Sequence, residues 1–227
     1  MRTRKKPWAR PALEACDFFV ENPQNYIGKW HSIFPNQSEI WLELGCGKGG
    51  FISKIASSHP DINFIGIDIK DEMLILAKEK IEKEYSISNL DTKNIKIMAF
   101  EIMIIHKIMN ECDSVNKIFI NFCNPWYKNT HRARRLTHPN QLRQYKTFLS
   151  LGGEIWFKTD NLQLFKDSIK YFEQSGFSIN YLTYDLHSSD FDENIETEHE
   201  KMYSKEGHKI MFLIAKHIDS SGAFHIQ

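Results

Sequence analysis

The sequence predicts a doubly wound α/β domain with a mostly parallel sheet, covered by helices on both faces. Three observations carry that expectation. From residue 39 onward, short β-rich runs alternate with longer stretches of helical periodicity. The first run ends in a glycine-rich turn that opens a helix. An aspartate closes the second run about 20 residues later, the usual place for a ribose-binding carboxylate. The chain has 227 residues, 41% apolar and 26% charged, enough for one large core. It reads as a single domain, 1–227, in which 1–38 form a basic N-terminal arm and cap.

Each element follows from its pattern. Glu39 to Leu44 is a near-continuous apolar run, a buried strand, and Gly50 to Ser58 places Phe51, Ile52, Ile55 and Ala56 at helical spacing. Asn63 to Asp68 is the second strand. Asp71 to Tyr85 is a helix with Met73, Leu74, Ala77 and Ile81 on one face. Asn94 to Phe100 is the third strand, followed by a helical stretch to about Glu111. Lys117 to Phe122 is the fourth. After a polar loop, Pro139 to Leu149 reads as a helix stopped by Gly152 and Gly153. Glu154 to Thr159 is the fifth strand, and Asn161 opens a helix running to Ser175. Phe177 to Tyr184 and Lys209 to His217 form a closing pair of strands. Residues 185–207 have no core pattern and read as a long functional loop.

Lysine plus arginine total 29 and aspartate plus glutamate total 29, which excludes a uniformly basic, histone-like protein. The charges are nevertheless segregated. Arg2, Arg4, Lys5, Lys6 and Arg10 crowd the first ten residues. Lys128, Arg132, Arg134, Arg135, Arg143 and Lys146 make a second basic block, and an acidic stretch runs from Asp185 to Glu206. Such runs are often plain solvated surface or ion-pair partners of one another. Trp8 and Trp126, beside the two basic clusters, favour a polyanion instead, because bases stack on indoles while arginines hold phosphates. No apolar run approaches the roughly 20 residues of a membrane span, and the N-terminus has no signal-peptide pattern. Cys16, Cys46, Cys112 and Cys123 have no zinc spacing. They read as reduced thiols of a cytoplasmic protein that binds no metal.

Glu43-Leu-Gly45-Cys-Gly47-Lys-Gly49 follows the first strand. The spacing matches neither the dinucleotide fingerprint nor the P-loop. An acid directly before the glycines would oppose a pyrophosphate, yet suits the ammonium of an amino-acid-bearing nucleoside. Asp68 would hold ribose hydroxyls, and Glu101, past the third strand, would reach an adenine edge. Together they point to S-adenosylmethionine. In an open parallel sheet, ligands collect at the carboxyl ends of the strands. Asn121 to Lys128, the basic loop and Lys158-Thr-Asp160-Asn161 converge there.

These segments carry a specific resemblance. The start Arg2 to Trp8, Glu43 to Gly49, Phe64 to Asp68, Asn121 to Trp126, Lys128 to Thr137, Thr159-Asp-Asn161 and Thr197-Glu-His-Glu200 recur in order. In this the chain resembles the bacterial tRNA (guanine-N7-)-methyltransferase family. The resemblance implies the Rossmann-like class I methyltransferase fold and methylation of N7 of a variable-loop guanine in tRNA. It implies that Glu43, Asp68 and Glu101, with Gly45, Gly47, Gly49 and Asn124, hold the cofactor. Asn124 would be the catalytic residue at the base. Lys128, Asp160, Thr197 and Glu200 would contact the substrate, and Arg132, Arg134 and Arg135 would contact RNA phosphates, in a monomer or a homodimer.

The chain departs from the family pattern at four places: Asn124 for an aspartate, Tyr127 for a proline, His199 for a tyrosine, and Glu101 for an aspartate. Guanine N7 already carries a lone pair, so its methylation needs alignment rather than proton removal. Asn124 keeps an acceptor oxygen to orient the base, while Asp160 supplies nearby negative charge. Two other readings stay open. Asn124-Pro-Trp-Tyr127 resembles the motif of exocyclic amino-methyltransferases, and loss of the carboxylate suits a tRNA-binding protein with weakened catalysis.

Overall fold

The computed structural model describes residues 5–219. In chain order it contains α1 (Ala9–Glu14), β1 (Ile40–Leu44), α2 (Ile52–Ser58), β2 (Asn63–Asp68), α3 (Asp71–Ile87), β3 (Ile95–Ala99), β4 (Val115–Asn121), α4 (Pro139–Phe148), β5 (Leu149–Thr159), α5 (Leu162–Gln174), β6 (Phe177–Thr183), α6 (Glu198–Lys205) and β7 (Met211–His217). The seven strands form one sheet in the order β3-β2-β1-β4-β5-β7-β6. The strands β1 to β5 pair in parallel, and β7 runs antiparallel to both of its neighbours. Strand order reverses between β1 and β4, which opens a crevice beyond their carboxyl ends.

Alternation along the strands divides the core between two faces. Leu42, Ile65, Ile118, Ile155 and Leu213 pack with Leu142, Tyr145, Leu164 and Phe165 of α4 and α5. Phe64, Phe119, Trp156 and Phe212 face Leu13, Ile52, Ile55, Leu74 and Ile81 of α1, α2 and α3. On that second face Lys117 lies between the Trp41 and Trp156 rings, 4.2 and 4.0 Å from their centroids. Cation–π attraction there offsets the loss of water around its ammonium, and burial lowers its pKa.

Residues 5–38 are joined to this body. Phe18 and Val20 bracket Ile97 with two backbone bonds of 2.8 Å, extending the β3 edge. Trp30 is buried, and its indole N–H donates to the Ile108 carbonyl at 2.7 Å. Arg10, expected in a basic arm, instead pairs with Asp71 of α3 at 2.9 Å. Arg2 and Arg4 lie outside the described residues.

Three local expectations are corrected. The helix after the basic loop ends at Phe148, four residues before Gly152. Leu149 turns extended, and the glycines sit inside β5, where the register jumps from Val115↔Leu149 to Lys117↔Glu154. Those two pairings leave residues 150–153 bulged out of the ladder, a conformation glycine tolerates. The stretch after β3 is a short 3₁₀ segment, Ile102–Lys107, kinked at Ile104. Asn161 opens α5 as expected, as its cap, with its Oδ1 accepting the Leu164 N–H at 2.8 Å. Finally, the 185–207 stretch contains α6 as well as loop.

Candidate functional site

Beyond β1 the backbone turns through Gly45 and Gly47, at φ +83° and +54°, where a side chain would be strained. The turn is pinned to β2, since Gly45 N–H and Cys46 N–H both donate to the Ile67 carbonyl, at 2.8 and 2.9 Å. A Cβ on Gly45 would meet nothing within 4 Å, so this backbone is bare toward the crevice. Gly49 answers a different need. A Cβ there would lie 2.7 Å from Ala77, so it lets α3 approach the loop, and it lines neither neighbouring cavity.

Two cavities, of 450 and 740 Å³, flank this turn and share Gly45, Asn121 and Phe122 as a common wall. Glu43, Gly47 and Lys48 line the smaller one together with residues 197–199. Asp68, Glu101, Asn124, Trp126 and Arg134 line the larger. Glu43 is 3% exposed, and its Oε1 accepts from Asn121 Nδ2 at 3.1 Å while its Oε2 has no partner. Burial pushes its pKa up to about 7, Asn121 opposing and Asp68 reinforcing the shift. Burial also raises Asp68, against the Lys70 and Gly47 N–H groups that it accepts at 3.0 Å each. Glu101 is exposed at the rim. Asn121 was missed by sequence reasoning; its only signal is its place at the end of the strand beside β1.

The opposite lip is the strained corner after β4. Phe122 and Trp126 both take positive φ, +51° and +44°, an uncommon conformation for bulky residues that concentrates at functional sites. The Asn124 side-chain oxygen accepts the Trp126 N–H at 3.0 Å, closing the turn that presents the indole. Arg134 lies over that indole, 5.3 Å from its centroid, and His131 meets it edge-on at 5.7 Å. Tyr127 is 75% exposed beside it, receiving an Asn161 Nδ2 bond at 3.4 Å.

The three arginines of the basic loop separate. Arg134 and Lys128 are exposed, and Arg132 is half-buried, 3.8 Å from Asp167. Arg135, expected on RNA phosphates, is instead buried. It donates to the Pro125 carbonyl at 2.8 Å and to Asp167 of α5 at 2.7 Å, so it braces the corner from beneath. The acidic partner of this loop is thus α5, not the 185–206 stretch.

Glu200, expected on the substrate, is corrected in the same way, while Thr197 does line the smaller cavity. They form a reciprocal capping box at the start of α6, with Thr197 Oγ1 accepting the Glu200 N–H at 2.9 Å and Glu200 Oε2 accepting the Thr197 N–H at 3.2 Å. Glu200 is fully buried. The residues of this segment that line the smaller cavity are Thr197, Glu198, His199 and Met202; Glu200 does not line it. His199 packs on Phe122 at 4.7 Å and stacks on Tyr203 at 4.2 Å. Burial lowers its pKa, with the Asp160 charge opposing. Asp160 itself lies at the tip of β5 and lines neither cavity. The Thr-x-x-Glu pattern was itself a signal for α6.

With this geometry in place, comparison with known proteins is decisive. A tRNA (guanine-N(7)-)-methyltransferase from Acetivibrio thermocellus is 67% identical over 216 residues, covering 95% of this chain and 99% of the relative. The chain belongs to the tRNA (guanine-N(7)-)-methyltransferase family. A second member, from Clostridium beijerinckii, is 60% identical over 95% of this chain and 98% of its own length. A family model described as "Putative methyltransferase" matches residues 37–213. Among solved structures, the 16S rRNA methyltransferase KamB shares the fold with a TM-score of 0.60 at 10% identity, over 84% of this chain and 93% of that one. The matched span runs from β1 into β7, so both cavities lie on family territory. No described helix is long and apolar enough to cross a membrane.

Proposed function

We propose that this protein transfers a methyl group from S-adenosylmethionine to N7 of a guanine in tRNA, as its relatives are named for doing. The single observation that carries the reading is the buried Glu43 Oε2, without a partner, beside bare Gly45. A buried carboxylate oxygen left open is costly, and the ammonium of the cofactor's amino-acid portion would satisfy it. The residues fit the group. Glu43 and the Gly45–Gly47 backbone would take the amino-acid end, Asp68 the ribose and Glu101 the adenine edge. When bound, the cofactor supplies a sulfonium-activated methyl.

The protein's own residues supply alignment. Asn121 fixes Glu43, and the Asn124 turn sets the Trp126 indole and Arg134 at the mouth of the larger cavity. N7 needs no general base, so a neutral Asn124 suffices to orient the guanine edge. Its lost charge weakens electrostatic stabilisation of the purine cation, and Asp160 provides negative charge nearby. Lys128, Arg132 and Arg134 offer cations to phosphates, beside exposed Tyr127.

The protein acts as one unit over 1–227, with 1–38 as arm and cap. Trp30 in the core and Phe18 at the sheet edge support this. Free cysteines and a tRNA substrate favour the cytoplasm. The deciding assay incubates the protein with methyl-labelled cofactor and unmodified tRNA, then digests the RNA and maps the label by mass spectrometry. Label at guanine N7 is expected. Label on an exocyclic amine, or binding without transfer, would replace this reading by one of the alternatives.

A further inference from the structure

A lysine buried in a central strand is costly unless its ammonium is fully paired. Lys158, in the penultimate position of β5, is only 3% exposed. Its Nζ donates to Glu200 Oε2 at 3.2 Å, to the Ile195 carbonyl at 3.1 Å and to Asn194 Oδ1. All three partners come from one segment, residues 194–200, outside the sheet. Glu200 is saturated in turn. Its Oε1 accepts from Asn194 Nδ2 at 2.8 Å and lies 3.2 Å from His187 Nε2, while its Oε2 also takes the Thr197 N–H. No lone pair of Glu200 is left for a substrate.

The outer side of the same turn reaches the cofactor cavity. Glu198 approaches the glycine loop so closely that a Cβ on Gly50 would lie 3.1 Å from its Cγ, and it pairs with Lys80 of α3. His199 lies on Phe122, in the wall the two cavities share. α6 is therefore anchored inward to β5 and presented outward to the cavity.

We propose that Lys158 is a positioning residue for methyl transfer: it clasps Glu200, Asn194 and Ile195 so that α6 stands as the outer wall of the cofactor cavity, and Glu200 acts through this clasp rather than on the substrate. The proposal rests on the reading of that cavity as the cofactor site. The full chain, without ligand, is compared with K158M, K158R and E200Q by hydrogen exchange. S-adenosylmethionine affinity is measured by calorimetry and unmodified tRNA affinity by filter binding. In K158M and E200Q, exchange over 194–205 rises about tenfold or more while α5 keeps its protection, as loss of one partner of a buried pair predicts. Cofactor Kd rises about tenfold, tRNA Kd stays within about twofold, and K158R, which keeps the charge, recovers part of the loss.

Wild-type exchange over 194–205 in folded K158M overturns the proposal, as does an increase spread evenly through the chain. If K158M does not fold, E200Q carries the same measurements. Collapse of both variants also overturns it, because the pair would then support the whole sheet rather than one wall. Failure of the wild type to bind the cofactor strikes the methyl-transfer reading instead, while the exchange data still judge the clasp.

Discussion

Burial pushes the pKa of the Glu43 carboxyl up to about 7, with Asn121 the largest opposing group and the Lys158 charge and Ile52 N–H adding to it. In the apoprotein the folded state binds this proton more tightly than the unfolded chain. That contribution to stability is complete below pH 4.5 and is lost as pH rises through about 7. The loss amounts to at most about 3 kcal/mol. Urea titrations from pH 5 to 8 should therefore show wild type losing stability relative to Glu43→Gln as pH rises. Cofactor binding runs the other way. An ammonium requires the ionised carboxylate, so cofactor affinity should strengthen as pH rises toward about 7 and then level off. Calorimetry in buffers of different ionisation enthalpy should detect proton release on binding, absent in Glu43→Gln. Asn124→Asp restores a carboxylate beside the purine cation and should hold or raise kcat; a large fall would contradict the orienting role given to the amide. Glu43 was legible because an acid before a glycine turn is a local feature. Its orphaned oxygen was not, since that depends on Asn121 arriving from β4, 78 positions along the chain.

The basic loop shows what an element adds to a list of residues. Arg134 and Arg135 are neighbours of identical chemistry, and no local pattern separates them. Their fates diverge because Asp167 on α5, 32 positions away from Arg135, neutralises one of them beneath the corner. Arg135→Ala should therefore destabilise the fold by roughly 2–3 kcal/mol, through loss of its charged hydrogen bonds to Pro125 and to half-buried Asp167, as a lowered denaturation midpoint would show. Arg134→Ala should leave the midpoint unchanged and weaken tRNA binding, read in a filter assay. The start of β5 was misread for a related reason. Gly152 and Gly153 are ordinary helix stops, yet here they let one strand bulge while its partner runs straight. The segment 185–207 hid α6 because its buried face is polar. Glu200 and Asn194 point inward toward Lys158, so hydrophobic periodicity had nothing to report.

At the scale of the molecule, the crevice between β1 and β4 gathers the site from segments spread over Glu43 to Met202. The fold was legible because alternating strands and helices leave few topologies open. The insertion of β7 between β5 and β6 was not, since pairing order carries no periodicity. A surface that meets tRNA through Lys128, Arg132 and Arg134 should bind in a strongly salt-dependent way. Three phosphate contacts correspond to a loss of roughly 40-fold in affinity between about 50 and 200 mM salt, and a flat titration would count against this face as the RNA surface. The position of β7 also constrains how the molecule assembles. β6 precedes it in sequence yet, among the described strands, pairs with it alone, so β6 has no place in the ladder until β7 lies against it. Until β7 pairs with it, the edge of β5 stays open to partners from other chains. Refolding yield should thus fall as protein concentration rises, as light scattering and recovered soluble protein would show.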